Sequence, residues 1–532
     1  MTRPAEDDTK IASQAEFRRL IVQLGIAMVA AGDAVDIIEE SLRRIVAAYG
    51  VTGLQIALLP TSLFVQTGTG DRAHVQFSSQ VAPPLRLDQI DGLYRLVRQL
   101  ERAELTVSEG RRKLGAVYHR QPTFRWPVRT AGHAVLTVGL VLLLQPTPGG
   151  IAAAFALGLL IGVLKLARLP TLMLIFPIIA SFLTAAVVFG SARYLHIDNP
   201  IRLLVAPLVT FLPGGLLAIA TMEIAAGQMV SGASRLVNGF VQLALLAFGI
   251  IAAGALVRAS PADFSDHQVA GLGAWAGWAG VIVFALGVYL HFSAPLRSLP
   301  WMLLVLYVAF AGQAIGDALF GGQISGFFGA VVMTPVVLWV ERLPNGPPKL
   351  VTFLPAFWLL VPGATGLIGV TQIVGTGFDV TARALTDVLI TIISISLGVL
   401  IGAAAHRTAD AGLRRLSRTF PSADSTPPDV TSTSGGLGAN NSRGFLDRRS
   451  QSRLHPVGMM LAADREWQRE SAGRPKSRSR RFRGTGMTML PRRAQMTLNG
   501  ASAVCRPEPA EEVRSPRPRI GPGRSDVATA RR

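Results

Sequence analysis

The sequence predicts a mainly helical, polytopic membrane protein. Ten transmembrane helices form a 5+5 inverted repeat, with a small α/β cytoplasmic domain before them and a disordered tail after them. Three observations lead there. The 532 residues have a mean hydropathy of +0.40 and 50% hydrophobic content, too apolar for an ordinary water-soluble globule. The apolar residues are concentrated between about 130 and 405, in runs of roughly 15–22 residues, the length that crosses a bilayer. Two of those runs are broken in the same way. Phe211-Leu212-Pro213-Gly214-Gly215-Leu216-Leu217-Ala218 and Leu360-Val361-Pro362-Gly363-Ala364-Thr365-Gly366-Leu367 read almost as copies, with Pro213 and Pro362 149 positions apart.

The chain begins with residues 1–127, read as a folded α/β domain. Phe17, Leu20, Ile21, Leu24 and Met28 fall at helical spacing, Gly32-Asp33 makes a turn, and Val35, Ile38, Leu42, Ile45 and Tyr49 give a second amphipathic helix. Leu54–Leu59 and Leu63–Thr67 read as strands joined tightly through Pro60-Thr61-Ser62, with Ala73–Phe77 as a third. Leu87–Leu105 and Ser108–Tyr118 look helical and basic. The opening residues, Met1 to Lys10, lack the apolar core of a signal peptide.

The membrane block divides into spans near 130–146, 150–166, 171–190, 201–222, 236–257, 270–291, 300–319, 323–340, 353–374 and 385–405. With the N-terminal domain inside, the cytoplasmic loops hold Lys165, Arg168, Arg235, Arg297, Arg342 and Lys349. The outer loops hold Arg193, Arg202, Arg258 and Arg383, matched by Asp198, Asp263, Asp266 and Asp379. The basic excess lies inside, and ten spans put both termini in the cytoplasm. An odd number of spans per half, 128–260 and 261–405, makes the repeat an inverted one, with the broken helices fourth in each half.

Residues 406–532 are rich in Arg, Ser, Pro, Gly and Thr without an apolar period, and read as a disordered basic tail. They hold 25 Lys and Arg against 11 Asp and Glu, which is +14 of the net +19. That location favours a solvated tail or contact with anionic lipid headgroups over nucleic acid. The single cysteine, Cys505, excludes an intramolecular disulfide and a cysteine-rich metal site.

A Pro-Gly pair inside a membrane helix frees backbone groups that lipid cannot satisfy, so such a break survives where it lines a cavity or is buried in protein. Two breaks at matching places point to a transport site. Pro213, Gly214, Gly215, Pro362, Gly363 and Gly366 are therefore the candidate substrate-binding residues. Their glycines admit close approach to the backbone. A half-helix starting at Leu216 or Leu367 would aim its positive end at a carboxylate such as an α-amino acid carries. The alternative is that these are packing glycines, like Gly273 and Gly277, whose GxxxG spacing suits helix contact.

Glu223, Asp317 and Asp387 are the candidate coupling carboxylates, because ionisable groups in a membrane are expensive. All three also fall within a few residues of a span end, where hydration alone would explain them. His133 is a candidate proton relay or a packed histidine. No GxxxxGK[ST] loop is present, which argues against direct drive by ATP. HExxH and GxSxG are also absent, so no catalytic residue, metal or cofactor is expected.

In order along the chain, these segments resemble the bacterial threonine/serine exporter family, whose members join a cytoplasmic N-terminal domain to a ten-span membrane domain. Gln23 to Ala34 with Glu39-Glu40-Ser41-Leu42 resembles the opening helix and turn of that domain, and Leu59-Pro60-Thr61-Ser62-Leu63-Phe64-Val65 its Pro-Thr-Ser segment. Pro213-Gly214, Glu223, Gly227 and Gly232-Ala233-Ser234-Arg235-Leu236 resembles a PG, acidic, glycine and G-x-x-R-L series. The acidic position more often holds Asp in the family. Val361-Pro362-Gly363 resembles the second-half counterpart.

The likeness covers roughly residues 14–405 and stops before the tail. It implies a non-enzymatic transporter of the bacterial plasma membrane that exports threonine and serine using the proton motive force. The partners implied are small amino acids and membrane lipid, not nucleic acid; association into a homo-oligomer is left open. The residues alone support a secondary transporter without naming its substrate. Two alternatives stand beside export of threonine and serine. One is a carrier of another small carboxylate. The other is a membrane-anchored hydrolase whose N-terminal domain uses Asp33, Asp36, Glu39 and Thr61-Ser62.

Overall fold

The computed structural model describes residues 4–68, 73–79, 83–144, 147–166, 175–195, 199–264, 271–360, 367–369, 371 and 381–419. Helix α1 (Pro4–Ala31) buries Phe17, Leu20, Ile21, Leu24 and Met28, the face that its apolar spacing marks. It ends where Gly32 takes φ +89°. The Gly32 N–H then bonds to the Val29 carbonyl and the Asp33 N–H to the Met28 carbonyl, a paired closure that uses two orphan carbonyls of the last turn. Helix α2 (Val35–Ala48) follows at once, burying Val35, Ile38, Leu42 and Ile45.

Strands β1 (Leu54–Leu59), β2 (Ser62–Thr67) and β3 (His74–Ser78) form an antiparallel sheet in the order β1-β2-β3. Leu59 pairs with Ser62, so only Pro60 and Thr61 turn the chain, and β2 begins one residue earlier than expected. Leu58, Leu63 and Val65 face the helices, while Phe64 and Phe77 pair on the open face with ring centroids 4.8 Å apart. Helix α3 (Leu87–Glu101) stops four residues short of the expected Leu105, because Ala103 adopts φ +52° and ends the helical path. Helix α4 (Val107–Tyr118) is started by Thr106, whose hydroxyl and backbone exchange hydrogen bonds with Glu109.

The apolar helices follow: α5 (Trp126–Leu144), α6 (Pro148–Leu164), α7 (Phe176–Leu195), α8 (Pro200–Leu208), α9 (Gly214–Ala225), α10 (Met229–Val257), α11 (Trp275–His291), α12 (Leu299–Phe320), α13 (Gly322–Arg342), α14 (Lys349–Leu359) and α15 (Thr381–Thr419). Among the described residues, five helical stretches are long and apolar enough to cross a membrane. A sixth candidate is the bent pair Pro200–Phe211 and Gly214–Ala225. Four shorter apolar helices lie at 148–164, 176–192, 275–291 and 349–359.

Helices α5 and α11 cross with their backbones touching. A Cβ placed on Gly139 would stand 2.3 Å from the Phe284 nitrogen, and one on Gly287 only 2.2 Å from the Leu136 nitrogen. Lipid supplies no hydrophobic drive for such a crossing, so small residues permit it by letting dispersion contacts form. The expected GxxxG contact holds for Gly277, which packs on the Phe310 ring. Gly273 instead precedes α11 at φ +98° and serves the turn. Helix α15 runs 14 residues past the expected span end at 405, and Arg342 pairs with its Asp410 at 2.7 Å. The polar segment expected from 406 therefore begins inside a helix.

Candidate functional site

The helical path through α8 turns by 66° into α9. The cause is local. Pro213 has no N–H to give to the Val209 carbonyl, which instead takes the Leu212 N–H at 3.2 Å in a tighter turn over Val209–Phe211. The Phe211 carbonyl, also released, accepts Gln242 Nε2 from α10 at 2.7 Å. Helix α9 restarts at Gly214, two residues before the expected Leu216, with Pro213 as its N-cap and no side chain capping its first amides. Gly214 is buried and Gly215 half-buried. A Cβ on Gly215 would meet Phe357 of α14 at 4.0 Å, so the helix leading toward the second break packs beside the first. Pro362, Gly363 and Gly366 themselves lie outside the described residues.

A polar group sits against the turn that precedes Pro213. Lys165, at the C-terminal end of α6, donates to Thr210 Oγ1 at 2.6 Å and approaches His291 Nε2 of α11 at 3.4 Å. His133 of α5, fully buried, places Nε2 3.4 Å from the same Thr210 hydroxyl and Nδ1 3.0 Å from the Gly158 carbonyl. The two imidazoles meet edge to face, centroids 4.8 Å apart, and Lys165 Nζ stands 4.9 Å from the centre of the Phe211 ring.

Glu223 lies elsewhere. It is fully buried in α9, accepts the Val35 N–H on Oε1 at 3.0 Å, and holds Oε2 3.2 Å from Arg235 Nε of α10. That second contact is off the N–H direction, so it is an ion pair without a hydrogen bond. Arg235 also donates through Nη2 to the Asp33 carbonyl at 3.2 Å. The Asp33 carboxylate receives the Tyr94 hydroxyl and lies 3.4 Å from Lys349 Nζ of α14. Burial first, and the Asp33 charge second, push the Tyr94 phenol well above its ordinary range, which keeps it a donor. Arg297 adds a third tie, 2.5 Å from Asp91 of α3. The carboxylate read as a coupling group is thus built into the joint between the N-terminal portion and the apolar helices. Beneath that joint a cavity of about 120 Å³ is lined by Asp33, Ile219, Met222, Thr334, Lys349 and Phe353, among others.

Asp317 is exposed near the C-terminal end of α12, beside Gly322. Asp387 of α15 accepts Gln323 Nε2 at 2.7 Å. Successive residues at the start of α13 therefore face both carboxylates, and neither shares a contact with Glu223. Two residues of the hydrolase alternative are engaged in structural contacts. Glu39 accepts the Leu58 N–H of β1 and pairs with Arg43, while Asp33 is taken up by the joint. Among the described residues no group of three or more His, Cys, Asp or Glu is placed to hold a metal ion.

The sequence reading had His133 but not its partners. Lys165 is expected in a cytoplasmic loop, His291 ends the span near 270–291, and Thr210 lies inside the span near 201–222. Their one signal is two polar side chains at the ends of apolar runs and a third within one, which becomes meaningful only when the helices are packed.

Residues 19–257 match the family model ThrE, described as "Putative threonine/serine exporter". The match runs from within α1 to the end of α10 and includes the bent pair, Glu223 and Arg235. The resemblance expected over 14–405 is found over that shorter stretch. No curated protein and no solved structure was found to match the chain.

Proposed function

We propose that the chain is a secondary transporter that exports threonine and serine across the bacterial plasma membrane, driven by the proton motive force. The observation that carries the reading is the 66° bend at Leu212-Pro213, lying within the stretch that matches the exporter family. An interrupted helix with an uncapped N-terminal end offers amides to a substrate carboxylate, and Gly214 and Gly215 leave room for it. Pro362, Gly363 and Gly366 form the second-half counterpart in this proposal. Asp317 and Asp387, which face successive residues at the start of α13, carry the coupling proton.

Ten spans in two inverted halves fit the packing. In the first half α7 lies on α10; in the second, α13 lies on α15, and these are the third and fifth members of each set. Helices α5 and α11, the first members, cross each other. Orientation is supported by charge. Arg235, Arg297 and Lys349, the cations expected in cytoplasmic loops, are those that reach Asp33 and Asp91 of the N-terminal portion.

The test is efflux of labelled threonine and serine, with dicarboxylates as controls, from cells lacking their own carriers. Export should collapse with a protonophore and persist when ATP is depleted at constant membrane potential. The reverse pattern refutes secondary transport. Asp317→Asn should weaken the dependence on external pH, and an unchanged profile clears that residue. Reporter fusions after 127, 235, 345 and 410 should read cytoplasmic, and those near 196, 262 and 379 external. An external signal at 410 breaks the ten-span topology.

A further inference from the structure

We infer that Lys165 is the receptor for the carboxylate of the transported solute, held in position by Thr210, His133 and His291. This rests on the transport reading above and adds a side chain to a site so far described by its backbone.

The hydrogens of the group are fixed by two carbonyls. His291 Nδ1 faces the Arg129 carbonyl at 2.9 Å, and a carbonyl only accepts, so the proton is on Nδ1 and Nε2 presents its lone pair to Lys165. His133 Nδ1 likewise donates to the Gly158 carbonyl, and its Nε2 accepts from Thr210. The Thr210 oxygen is then left to accept from Lys165. Each group in contact with the ammonium is thus a neutral acceptor or the face of Phe211, and the charged side chain nearby, Arg129, is itself a cation.

Among the described residues no carboxylate lies within 4.0 Å of Lys165 Nζ to form an ion pair, whereas Glu223, Asp33, Asp91 and Asp410 each have a cation. The C-terminal ends of α6 and α11 supply partial negative charge, on the order of half an elementary charge each, which holds the amine without neutralising it. One of its three N–H groups remains for a ligand. An ammonium in a membrane with neutral partners and an unused donor is arranged for an anion that comes and goes.

The group is placed for that role. Thr210 and Phe211 are the third and second residues before Pro213, so the turn that positions Lys165 leads into the uncapped amides of α9, and the two address one carboxylate. Two rigid imidazoles from α5 and α11, helices in backbone contact, fix the direction of the amine. A flexible lysine alone would lose that precision.

The experiment is calorimetry on the purified full-length protein with L-threonine, with L-threoninol (the same molecule lacking the carboxylate) and with lactate. Each titration is set beside the melting temperature. The parent should bind threonine at least tenfold tighter than threoninol. Lys165→Met should lower threonine affinity at least tenfold and leave threoninol unaffected; Lys165→Arg should recover most of the loss. Equal binding of threonine and threoninol by the parent overturns the assignment without any variant, so a poorly folding Lys165→Met does not protect it. Threonine binding by a well-folded Lys165→Met at the parent's affinity also overturns it. If the parent ignores threonine but binds lactate in a Lys165-dependent way, the amino-acid reading falls and the carboxylate receptor stands. If the parent binds none of the three, both fall.

Discussion

Val35 and Glu223 are 188 positions apart in the chain, and the Val35 N–H donates to the Glu223 carboxylate at 3.0 Å. The donor is one of the orphan amides at the start of α2, whose N-cap, Ala34, has no side chain able to satisfy it. A carboxylate of α9 therefore completes a helix of the N-terminal portion, and Arg235 offsets its charge. The consequence is a buried ionic joint in which removing one member strands the others.

Glu223→Ala should destabilise the protein by about 3–5 kcal/mol, because it leaves Arg235 buried without its counter-ion. The loss should appear as a lower melting temperature in detergent and as faster proteolysis between Tyr118 and Trp126. Glu223→Gln keeps an acceptor for Val35 and should cost less. Parent-like stability in both variants would remove the joint from the account.

Changing Pro213-Gly214 to Ala-Ala should restore a continuous helix through the bend. Membrane insertion survives, because Ala favours helix, while threonine affinity falls. Gln242→Leu probes the same region from outside. It strips the Phe211 carbonyl of its donor and should cost about 1–3 kcal/mol. If the Ala-Ala variant binds threonine as the parent does, the substrate does not use the break.

Gly287→Val forces side-chain atoms into the Leu136 backbone and should cost about 1–3 kcal/mol or more. Gly149→Ala is the control. Nothing lies within 4 Å of the added Cβ, so it should be neutral or stabilise by about 0.5–1 kcal/mol. Thermal melts of both variants check the contrast. Equal melting temperatures would mean the α5–α11 crossing is looser than described.

Tyr94 gives a pH signature. Its phenol is held above the ordinary value by burial and then by Asp33, so the protonated form is favoured in the folded state. A raised folded pKa stabilises fully below the unfolded value of about 10, and the benefit is lost as pH rises from there toward the folded value. Melting temperature should therefore respond little to this group from pH 7 to 9 and fall more steeply beyond 10. Tyr94→Phe should be less stable throughout and lack the added alkaline loss.

The local architecture was legible because it rests on periodicity and turn chemistry. Phe17 to Met28 marked the buried face of α1, Gly32 marked its end, and Pro213-Gly214 marked the bend. What was not legible depends on which helices meet. Glu223 in an apolar run reads as a transport carboxylate, and only the packed helices put Val35 and Arg235 beside it. Lys165 at a run's end reads as a loop cation until α5, α11 and the turn after α8 bring two histidines and Thr210 to it. Gly273 and Gly277 share a spacing, yet one turns the chain and the other packs on Phe310, a distinction made by where α11 begins.

Asp33 is grasped from two directions, by Arg235 of α10 at its carbonyl and by Lys349 of α14 at its carboxylate. In binding terms the N-terminal portion is a ligand tethered to its own receptor. A short tether gives such a ligand an effective concentration on the order of millimolar, so dilution cannot release it. Its hold would depend instead on the separation of α10 from α14. A conformation that parts those helix ends forfeits one of the two grips and is disfavoured by the difference in affinity. The first 118 residues would thereby weigh against any such parting, by an amount that the covalent chain sets.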